Sequence, residues 1–312
     1  MSFITPQQVE QFKADGYLIL RGMFSREELS HLEPIALRIR DKVRENLYPG
    51  TRYWYHDPSE GPKAKNRKFD DIPPELRGQA TWGVNELPRK ELFEPDLVNV
   101  WAHPKVDAAM QALLDEPRAW GIKMLWTPKV VGYNLGWHRD QVPEALYDWV
   151  HCKPAAQDHI QFNAALHEDD CFLVVPGSHR RPLTEQEWAA VRKPDDLPGQ
   201  VVAALEPGDI LFMDAHALHR GRCSVDSDRL TLHYSAQSQW VPLKEWGHEG
   251  HMDWLRSDAF INQIEPKARP YYERLRTAER TDQAMGFLVE AAKAHGFAPA
   301  DLAASGRRKM SM

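Results

Sequence analysis

The order of apolar and polar positions along the chain predicts helices at both ends and short strands between them. Near the N-terminus, Thr5-Pro6 and Gly16 bound a first helix, because Pro is favoured in a first helical turn and Gly commonly follows a last one. The apolar residues 17–20 then predict a short strand.

Three further segments have apolar residues at helical spacing. Ser25 and Glu28 form a capping box that opens a helix running to about residue 46, and Pro34 predicts a kink or break inside it. Residues 94–115 and 253–304 show the same spacing and predict two more helices.

Between about residues 118 and 240 the pattern changes to short apolar runs separated by Pro and Gly. Such runs are typical of an antiparallel sandwich or barrel. The predicted strands cover residues 120–126, 130–135, 159–166, 171–175, 200–205, 209–213 and 229–236. We expect the helices to pack on one face of this β core.

Residues 49–90 are rich in proline and aromatic residues and contain the basic run Lys63–Lys68. Long irregular segments are commonly functional lids or linkers, and the aromatic content argues against disorder. We therefore interpret the segment as a candidate lid. Tyr53, Trp54 and Trp82 could stack on a substrate, but ordinary packing explains them as well.

Composition excludes several classes of protein. The 312 residues are 42% hydrophobic and 27% charged, which is typical of a globular protein, and the net charge of −6 argues against nucleic acid as a partner. No apolar run approaches the ~18 residues of a membrane span, and no secretory signal is recognisable. Cys152, Cys171 and Cys223 are interpreted as free thiols, so a cytoplasmic location is expected.

The chemistry is concentrated in two places. His138 and Asp140 are two positions apart, so on an extended chain both point to one face and can bind one metal ion. Farther along, a strand predicted from residue 209 is followed by His219, and Arg229 begins the next strand. Two histidines and one carboxylate are the ligand set of non-heme iron(II) oxygenases, and a buried arginine can bind a carboxylate through two hydrogen bonds.

These motifs, in this order, resemble the phytanoyl-CoA dioxygenase family. The resemblance spans about residues 6–240 and rests on the following segments: Phe12–Leu20, His138-Arg139-Asp140, Val175–His179, Pro207-Gly208-Asp209, His219 and Arg229. It implies an Fe(II)- and 2-oxoglutarate-dependent oxygenase that uses O2. It also implies an α+β fold with a mainly β core, a double-stranded β-helix of the jelly-roll or cupin type flanked by N- and C-terminal helices.

The resemblance also implies roles for individual residues. His138, Asp140 and His219 match the iron ligands, with His216 as a competitor for the third position. Arg229 matches the arginine that binds the distal carboxylate of 2-oxoglutarate, although Arg222 remains an alternative.

Polar residues on the neighbouring strands are candidates for contacts with the cosubstrate. Gln161 and Asn163 share one face of a predicted strand, and Thr231 shares the face of Arg229. We expect these three to bind the cosubstrate or substrate, the alternative being an ordinary polar strand face. His233 is expected to be a packed residue.

The whole chain, 1–312, is expected to form one oxygenase domain. It would comprise a helical part over 1–117 that includes the lid candidate 49–90, a β core over 118–240 and a helical extension over 241–312.

The expected reaction is hydroxylation of an unactivated C–H bond in a small-molecule metabolite or natural-product intermediate, with release of succinate and CO2. Halogenation is disfavoured because Asp140 keeps the carboxylate that related halogenases replace. The alternatives are a non-catalytic jelly-roll binding protein and a cupin-type metalloenzyme without cosubstrate. Neither a nucleic acid nor a membrane is expected as a partner, and the sequence does not indicate an oligomeric state.

Overall fold

The computed structural model of the protein describes residues 3–61, 64–140, 144, 147, 148, 158–239, 241 and 247–278. Lys63, Cys152 and the part of the predicted last helix beyond residue 278 lie outside these ranges. No helix in the described ranges is both long enough and apolar enough to span a bilayer.

The first helix, α1 (Pro6–Asp15), begins and ends where the sequence predicts. The Thr5 hydroxyl accepts a hydrogen bond from the Gln8 amide, and the Gln8 side chain accepts one from the Thr5 amide, which satisfies two exposed donors. Gly16 ends the helix with a φ of 76°, a conformation that residues with a side chain rarely adopt. Strand β1 (Tyr17–Leu20) follows directly, as predicted.

Helix α2 (Arg26–Asn46) has the predicted capping box of Ser25 and Glu28. The helix continues through Pro34, so the predicted break does not occur. The alternative, a kink at this residue, stays a prediction. The buried apolar face of the helix, which includes Ile35 and Ile39, compensates for the one hydrogen bond that a proline removes.

The predicted single helix over 94–115 is also wrong. The structure has α4 (Pro95–Val98), a 3-10 turn at Asn99–Ala102 and then α5 (Pro104–Leu113). His103 has an extended backbone with a ψ of 125°, because the ring of the following proline disfavours the helical conformation there.

The C-terminal segment is likewise interrupted. Within the described ranges it forms α7 (His251–Leu255), α8 (Asp258–Ile261) and α9 (Arg269–Thr277) instead of one helix from residue 253. Ser257 accepts a hydrogen bond from the Phe260 amide and so starts a new helix after a turn. Two short helices occur elsewhere, α3 (Pro74–Arg77) and α6 (Glu185–Ala190).

The strands form two antiparallel sheets. After β1, their bounds are β2 Thr51–Tyr53, β3 Thr81–Val84, β4 Pro117–Trp126, β5 Tyr133–Asn134, β6 His159–Ala165, β7 Phe172–Val174, β8 Val201–Val202, β9 Ile210–Asp214, β10 His219–Cys223 and β11 Leu230–Ser238. The major sheet has the order β1-β9-β6-β11-β4-β3-β2, and the minor sheet has the order β5-β10-β7-β8. This two-sheet architecture confirms the predicted double-stranded β-helix with flanking helices.

The sequence pattern did not predict β2, β3 or β10. Strands β2 and β3 lie inside the candidate lid and extend the major sheet beyond β4, so part of that segment belongs to the sheet. Strand β10 was missed because its sequence, His-Arg-Gly-Arg-Cys, has almost no apolar residues.

The main hydrophobic core lies between the helices and the outer face of the major sheet. Alternation places Met124 and Leu232 on that face, whereas Lys123 and His233 point to the opposite, inner face. Trp101, fully buried, stacks on Tyr271 of α9 with ring centroids 4.9 Å apart, so N- and C-terminal helices share one core. Because the helices cover only the outer face of the major sheet, its inner face can carry polar side chains.

Candidate active site

Three potential metal ligands come together where the two sheets face each other. His138 and His219 are joined by a pair of backbone hydrogen bonds, each 3.0 Å, and their imidazole centroids are 4.4 Å apart. Asp140 is fixed two residues later by a backbone hydrogen bond from its amide to Ala215. The backbone therefore places two side chains that are 81 positions apart in sequence beside one carboxylate.

Backbone carbonyls fix the orientation of both imidazoles. Nδ1 of His138 lies 2.9 Å from the Gly136 carbonyl oxygen, and Nδ1 of His219 lies 2.8 Å from the Ala217 carbonyl oxygen. A carbonyl can only accept, so each Nδ1 carries the hydrogen and each Nε2 presents a lone pair toward Asp140. Burial, together with the neighbouring His219, lowers the pKa of His138 to about 4, which keeps it in the neutral form that a metal requires.

The Asp140 carboxylate has one hydrogen-bond donor among the described side chains, Gln161, whose Nε2 is 2.7 Å from Oδ2. Burial alone would raise the pKa of Asp140. The two histidines, the Lys123 cation and the bond from Gln161 lower it by more, so the pKa lies below its usual value and the group is ionised.

The donor set fits an iron(II) ion. Nε2 of His138 is 3.6 Å from Oδ1 of Asp140, and Nε2 of His219 is 3.9 Å from Oδ2. These separations are long for hydrogen bonds but suit ligands that share a metal, since two atoms each ~2.1 Å from one ion lie roughly 3–4 Å apart. Two imidazoles and a carboxylate leave further coordination positions open, as in the 2-His-1-carboxylate sites of non-heme iron enzymes.

Arg229 lies at the other end of the inner face and is buried. Its Nε donates to Asp169 at 2.9 Å, and its Nη1 donates to the Tyr133 hydroxyl. Thr231 donates to the same Asp169 oxygen at 2.6 Å. Among the described residues no acceptor contacts Nη2, so this nitrogen and the Tyr133 hydroxyl remain able to bind a carboxylate. We call these four residues the arginine cluster.

Sequence reasoning missed Asp169 and Lys123. Asp169 stands in the acidic run Glu168-Asp169-Asp170, which is typical of an exposed turn, and no sequence signal distinguishes its buried carboxylate. Lys123 did carry a signal, because it is the only charged residue in the otherwise apolar strand residues 120–126. It pairs with His233 across the sheet and lies on the inner face.

The remaining predicted contacts are placed as follows. Nδ1 of His233 is 2.6 Å from Oδ1 of Asn163, which it pairs with across the sheet. Thr231 contacts Asp169, and Gln161 contacts Asp140. The three polar candidates thus bond other side chains of the inner face, and their roles toward a cosubstrate stay predictions.

The competing residues lie elsewhere. His216 is buried with its Nε2 2.9 Å from an Asp158 oxygen, outside the group formed by His138, Asp140 and His219. Arg222 is about half exposed and lies 3.5 Å from Asp196.

A second group of possible metal ligands consists of Glu86, His248 and His251. Glu86 contacts Nδ1 of His248, and the Arg89 guanidinium lies 3.4 Å from Nε2 of the same ring. Burial lowers the pKa of His251 to about 4. Because the Arg89 cation lies against the His248 ring, we interpret the group as an ion pair between Glu86 and His248 and not as a metal site. This pair holds the C-terminal segment to the turn after β3.

Comparison with known proteins supplies a family and several similar folds. The family model described as Phytanoyl-CoA dioxygenase matches residues 12–224. No curated protein matches the sequence significantly.

Among solved structures, AviO1 from Streptomyces viridochromogenes Tue57 is 14% identical, with a TM-score of 0.56 over 78% of this chain and 100% of that one. EctD from S. alaskensis with bound Fe is 18% identical, with a TM-score of 0.55 over 78% of this chain and 80% of that one. The non-heme alpha ketoglutarate dependent carbocyclase SnoK from nogalamycin biosynthesis is 16% identical, with a TM-score of 0.54 over 80% of this chain and 90% of that one. At these identities the likeness establishes the fold.

Proposed function

Because the chain belongs to the phytanoyl-CoA dioxygenase family of Fe(II)- and 2-oxoglutarate-dependent oxygenases, we propose that it hydroxylates an unactivated C–H bond of a small-molecule metabolite. The observation that carries the proposal is the convergence of His138, Asp140 and His219, with both imidazoles oriented by backbone carbonyls. Asp140 occupies the position whose carboxylate halogenases lack, which favours oxygen insertion over halogenation.

We assign roles to the residues accordingly. His138, Asp140 and His219 would hold the iron, and Gln161 would position the Asp140 carboxylate. Arg229 would bind the distal carboxylate of 2-oxoglutarate through Nη2, with the Tyr133 hydroxyl as a second donor. Asp169 supports this role because it holds Nε and so fixes the plane of the guanidinium.

The bound iron, with 2-oxoglutarate and O2, would supply the oxidising power for hydroxylation, with succinate and CO2 as coproducts. The chain itself contributes the orientation of the ligands. The carboxylate of Asp140 stays ionised and the imidazole of His138 stays neutral, so these two ligands need no proton release near neutral pH. The outer face of the major sheet is covered by the main core, which closes the site from that side.

Two further proposals concern the domain organisation and the location of the protein. We propose that residues 1–312 form one domain, which is supported by a core shared between residues as far apart as Ile4 and Leu275. We also propose a cytoplasmic location, which is supported by the free, buried thiols of Cys171 and Cys223.

The decisive experiment is an anaerobic titration with Fe(II) and 2-oxoglutarate. A weak visible charge-transfer band that needs both additions is expected, because a keto acid chelating iron(II) produces one. Subsequent substrate screening by succinate release should find a product that gains one oxygen atom. A product that loses two hydrogens would indicate desaturation or ring closure. Iron binding without a band would favour the cosubstrate-free enzyme, and a band without turnover of any substrate would favour the binding protein.

Two pairs of variants test the residue assignments. His219→Ala should abolish iron binding, whereas His216→Ala should not; the reverse result would exchange the two residues. Arg229→Lys keeps a cation against Asp169 but loses the planar fork, so 2-oxoglutarate should bind at least about tenfold more weakly while iron affinity is preserved. Unchanged 2-oxoglutarate binding would remove Arg229 from the site, and Arg222→Lys is the matched control.

A further inference from the structure

Two cations on the inner face take no part in the roles assigned above. Lys123 of β4 points inward beside His233, and Arg52 of β2 reaches the same region. Both interact electrostatically with the Asp140 carboxylate, and Arg52 also lowers the pKa of Lys123, so the two cations and the triad face one another.

The backbone explains how Arg52 reaches this far. Arg52 lies opposite Gly83 of β3, and Gly83 lies opposite Leu125 of β4, two residues beyond Lys123. A Cβ at Gly83 would lie 2.8 Å from the Met124 carbonyl oxygen and 3.6 Å from Cδ of Arg52. The missing side chain lets the arginine stem cross β3 toward β4.

Neither charged end forms an ion pair with a described carboxylate, and the Asp140 carboxylate acts on both only as a neighbouring charge. Nε of Arg52 donates to the Asn85 side chain at 2.9 Å, and its guanidinium carbon lies 5.0 Å from the Trp82 ring centroid. Neither contact neutralises the charge, and no described residue hydrogen-bonds the Lys123 ammonium. Both side chains are only partly exposed, and cations that are partly removed from water are usually paired, so this pair is available to an anionic ligand.

Other polar atoms of the inner face are also without a described partner. They are Oε1 of Gln161, Nε2 of His233 and Oγ of Ser235, all buried. Gln161 and Ser235 are opposite each other on β6 and β11, and His233 is the inward neighbour of Ser235. Buried polar groups are normally hydrogen-bonded, so their grouping beside Asp140 indicates a polar occupant.

Charge balance specifies the sign of that occupant. Arg229 and Asp169 cancel each other, and burial keeps Tyr133 and His233 neutral. Iron(II), the Asp140 carboxylate and 2-oxoglutarate together leave one negative charge, whereas Arg52 and Lys123 bring two positive charges. The complete site therefore has room for one more anionic group.

We propose that the primary substrate carries an anionic group, a carboxylate or a phosphate ester, and that Arg52 and Lys123 bind it beside Asp140. The proposal rests on the proposed function, because it assigns the iron and cosubstrate to the other residues of the same site. A single remaining charge favours a carboxylate.

The test uses benzoate and its neutral analogue benzamide as probes. Each is titrated by calorimetry into the anaerobic protein loaded with Fe(II) and 2-oxoglutarate. Benzoate should bind at least about tenfold more tightly than benzamide. Phenyl phosphate is titrated in parallel, and tighter binding than that of benzoate would identify the anion as a phosphate ester.

The variants Lys123→Met and Arg52→Gln should each remove the preference for benzoate, and they should change 2-oxoglutarate affinity by less than about threefold. Lys129→Met is the matched control, because Lys129 is exposed on the same segment and should leave the preference intact. Lys123→Arg keeps the charge and should retain most of the preference, which separates loss of charge from loss of folding.

The proposal is overturned if benzoate and benzamide bind equally, or if both variants keep the preference. It is also overturned if the variants weaken 2-oxoglutarate as much as benzoate, since the cations would then serve the cosubstrate. Failure of the proposed function gives a different result: the charge-transfer band never appears in the wild-type protein. In that case the same titrations are carried out on the metal-free protein and test the anion site by itself. A preference for benzoate that Lys123→Met removes would support the site, and the absence of a preference would overturn it.

Discussion

The inner face of the major sheet carries cations at two places, and their surroundings are opposite in kind. Arg229 is held by Asp169, the Tyr133 hydroxyl and a strand backbone that begins at the next residue. Lys123 and Arg52 lie on the same face but have no acidic partner in the described part of the chain. Arg229 forms a complete ion pair, whereas Lys123 and Arg52 are two positive charges without a paired anion.

Under the two proposals above, this difference lets one sheet face bind two anions at separate places. A paired arginine presents fixed donors with little net charge, which suits a ligand that binds in every turnover in the same geometry. Two cations without an ion-pair partner attract an anion more strongly than a paired arginine does, but they fix its orientation less. This suits an anionic group that can belong to molecules of different shape. The following changes are designed to abolish or sharpen this contrast.

The largest effect is expected from Asp169→Ala, which would make the two places alike by leaving Arg229 unpaired. Breaking a buried pair on one side costs about 3–5 kcal/mol of the free energy of unfolding. Urea denaturation measures it, and Asp170→Ala is the control, because Asp170 is exposed and should change the free energy by less than about 0.5 kcal/mol. Equal effects of the two variants would mean that the ion pair contributes nothing.

Gln161→Met should be next in size. It removes the one described side-chain donor to Asp140, and loss of such a partner of a metal ligand typically costs 10–100-fold in affinity, or about 1.4–2.7 kcal/mol. Anaerobic Fe(II) titration measures the change. Gln111→Met, on the exposed side of α5, should bind iron like the wild type, and iron binding unaffected by either change would mean that Asp140 needs no support.

Lys123→Met should act in the opposite direction and stabilise the metal-free protein. Burial lowers the pKa of Lys123 to about 8, so the folded state carries a penalty for the charge of roughly 1–3 kcal/mol at pH 7. The unfolded chain holds this proton up to a higher pH, so wild-type stability should rise between about pH 8 and 10.5 as the penalty is relieved. Urea midpoints measured across this pH window should rise for the wild type and stay level for Lys123→Met. If the variant is less stable than the wild type at pH 7, Lys123 is already paired.

The smallest effect is expected from Thr231→Val. It removes one hydrogen bond to Asp169 while the arginine remains, so about 1 kcal/mol of stability should be lost. Thr231→Ser keeps the hydroxyl and should recover most of it in the same unfolding experiment. An unchanged free energy of unfolding in Thr231→Val would show that this hydrogen bond contributes nothing, because valine keeps the γ-methyl group and lacks only the hydroxyl.

Much of the fold and the proposed iron ligands followed from local sequence patterns. The capping box at Ser25 and the two-residue spacing of His138 and Asp140 express rules that operate within a few residues. The family resemblance then supplied His219 and the double-stranded β-helix. Short apolar runs between Pro and Gly also located most strands of the core, because those strands bury nearly all of their residues.

The rest depends on pairing between distant strands. Strand β10 is held by β5 and β7 and not by its own apolar residues, so its polar sequence gave no periodic signal. Arg52 approaches Lys123 only because β2, β3 and β4 are neighbours in one sheet, with Gly83 between them. Asp169 is buried by the arrival of Arg229 and Thr231, which are about sixty residues away. No local rule contains such information.

The pairing of β1 with β9 has a consequence for the order in which the protein folds. Leu20 is registered with Ile210, so the first strand made on the ribosome has no partner until about 190 further residues have been added. Until then its edge is available to wrong partners, and closing so long a loop is slow. The rate of appearance of native protein should therefore be limited by the docking of this N-terminal strand, and chaperones that shield extended apolar segments should raise the yield of synthesis.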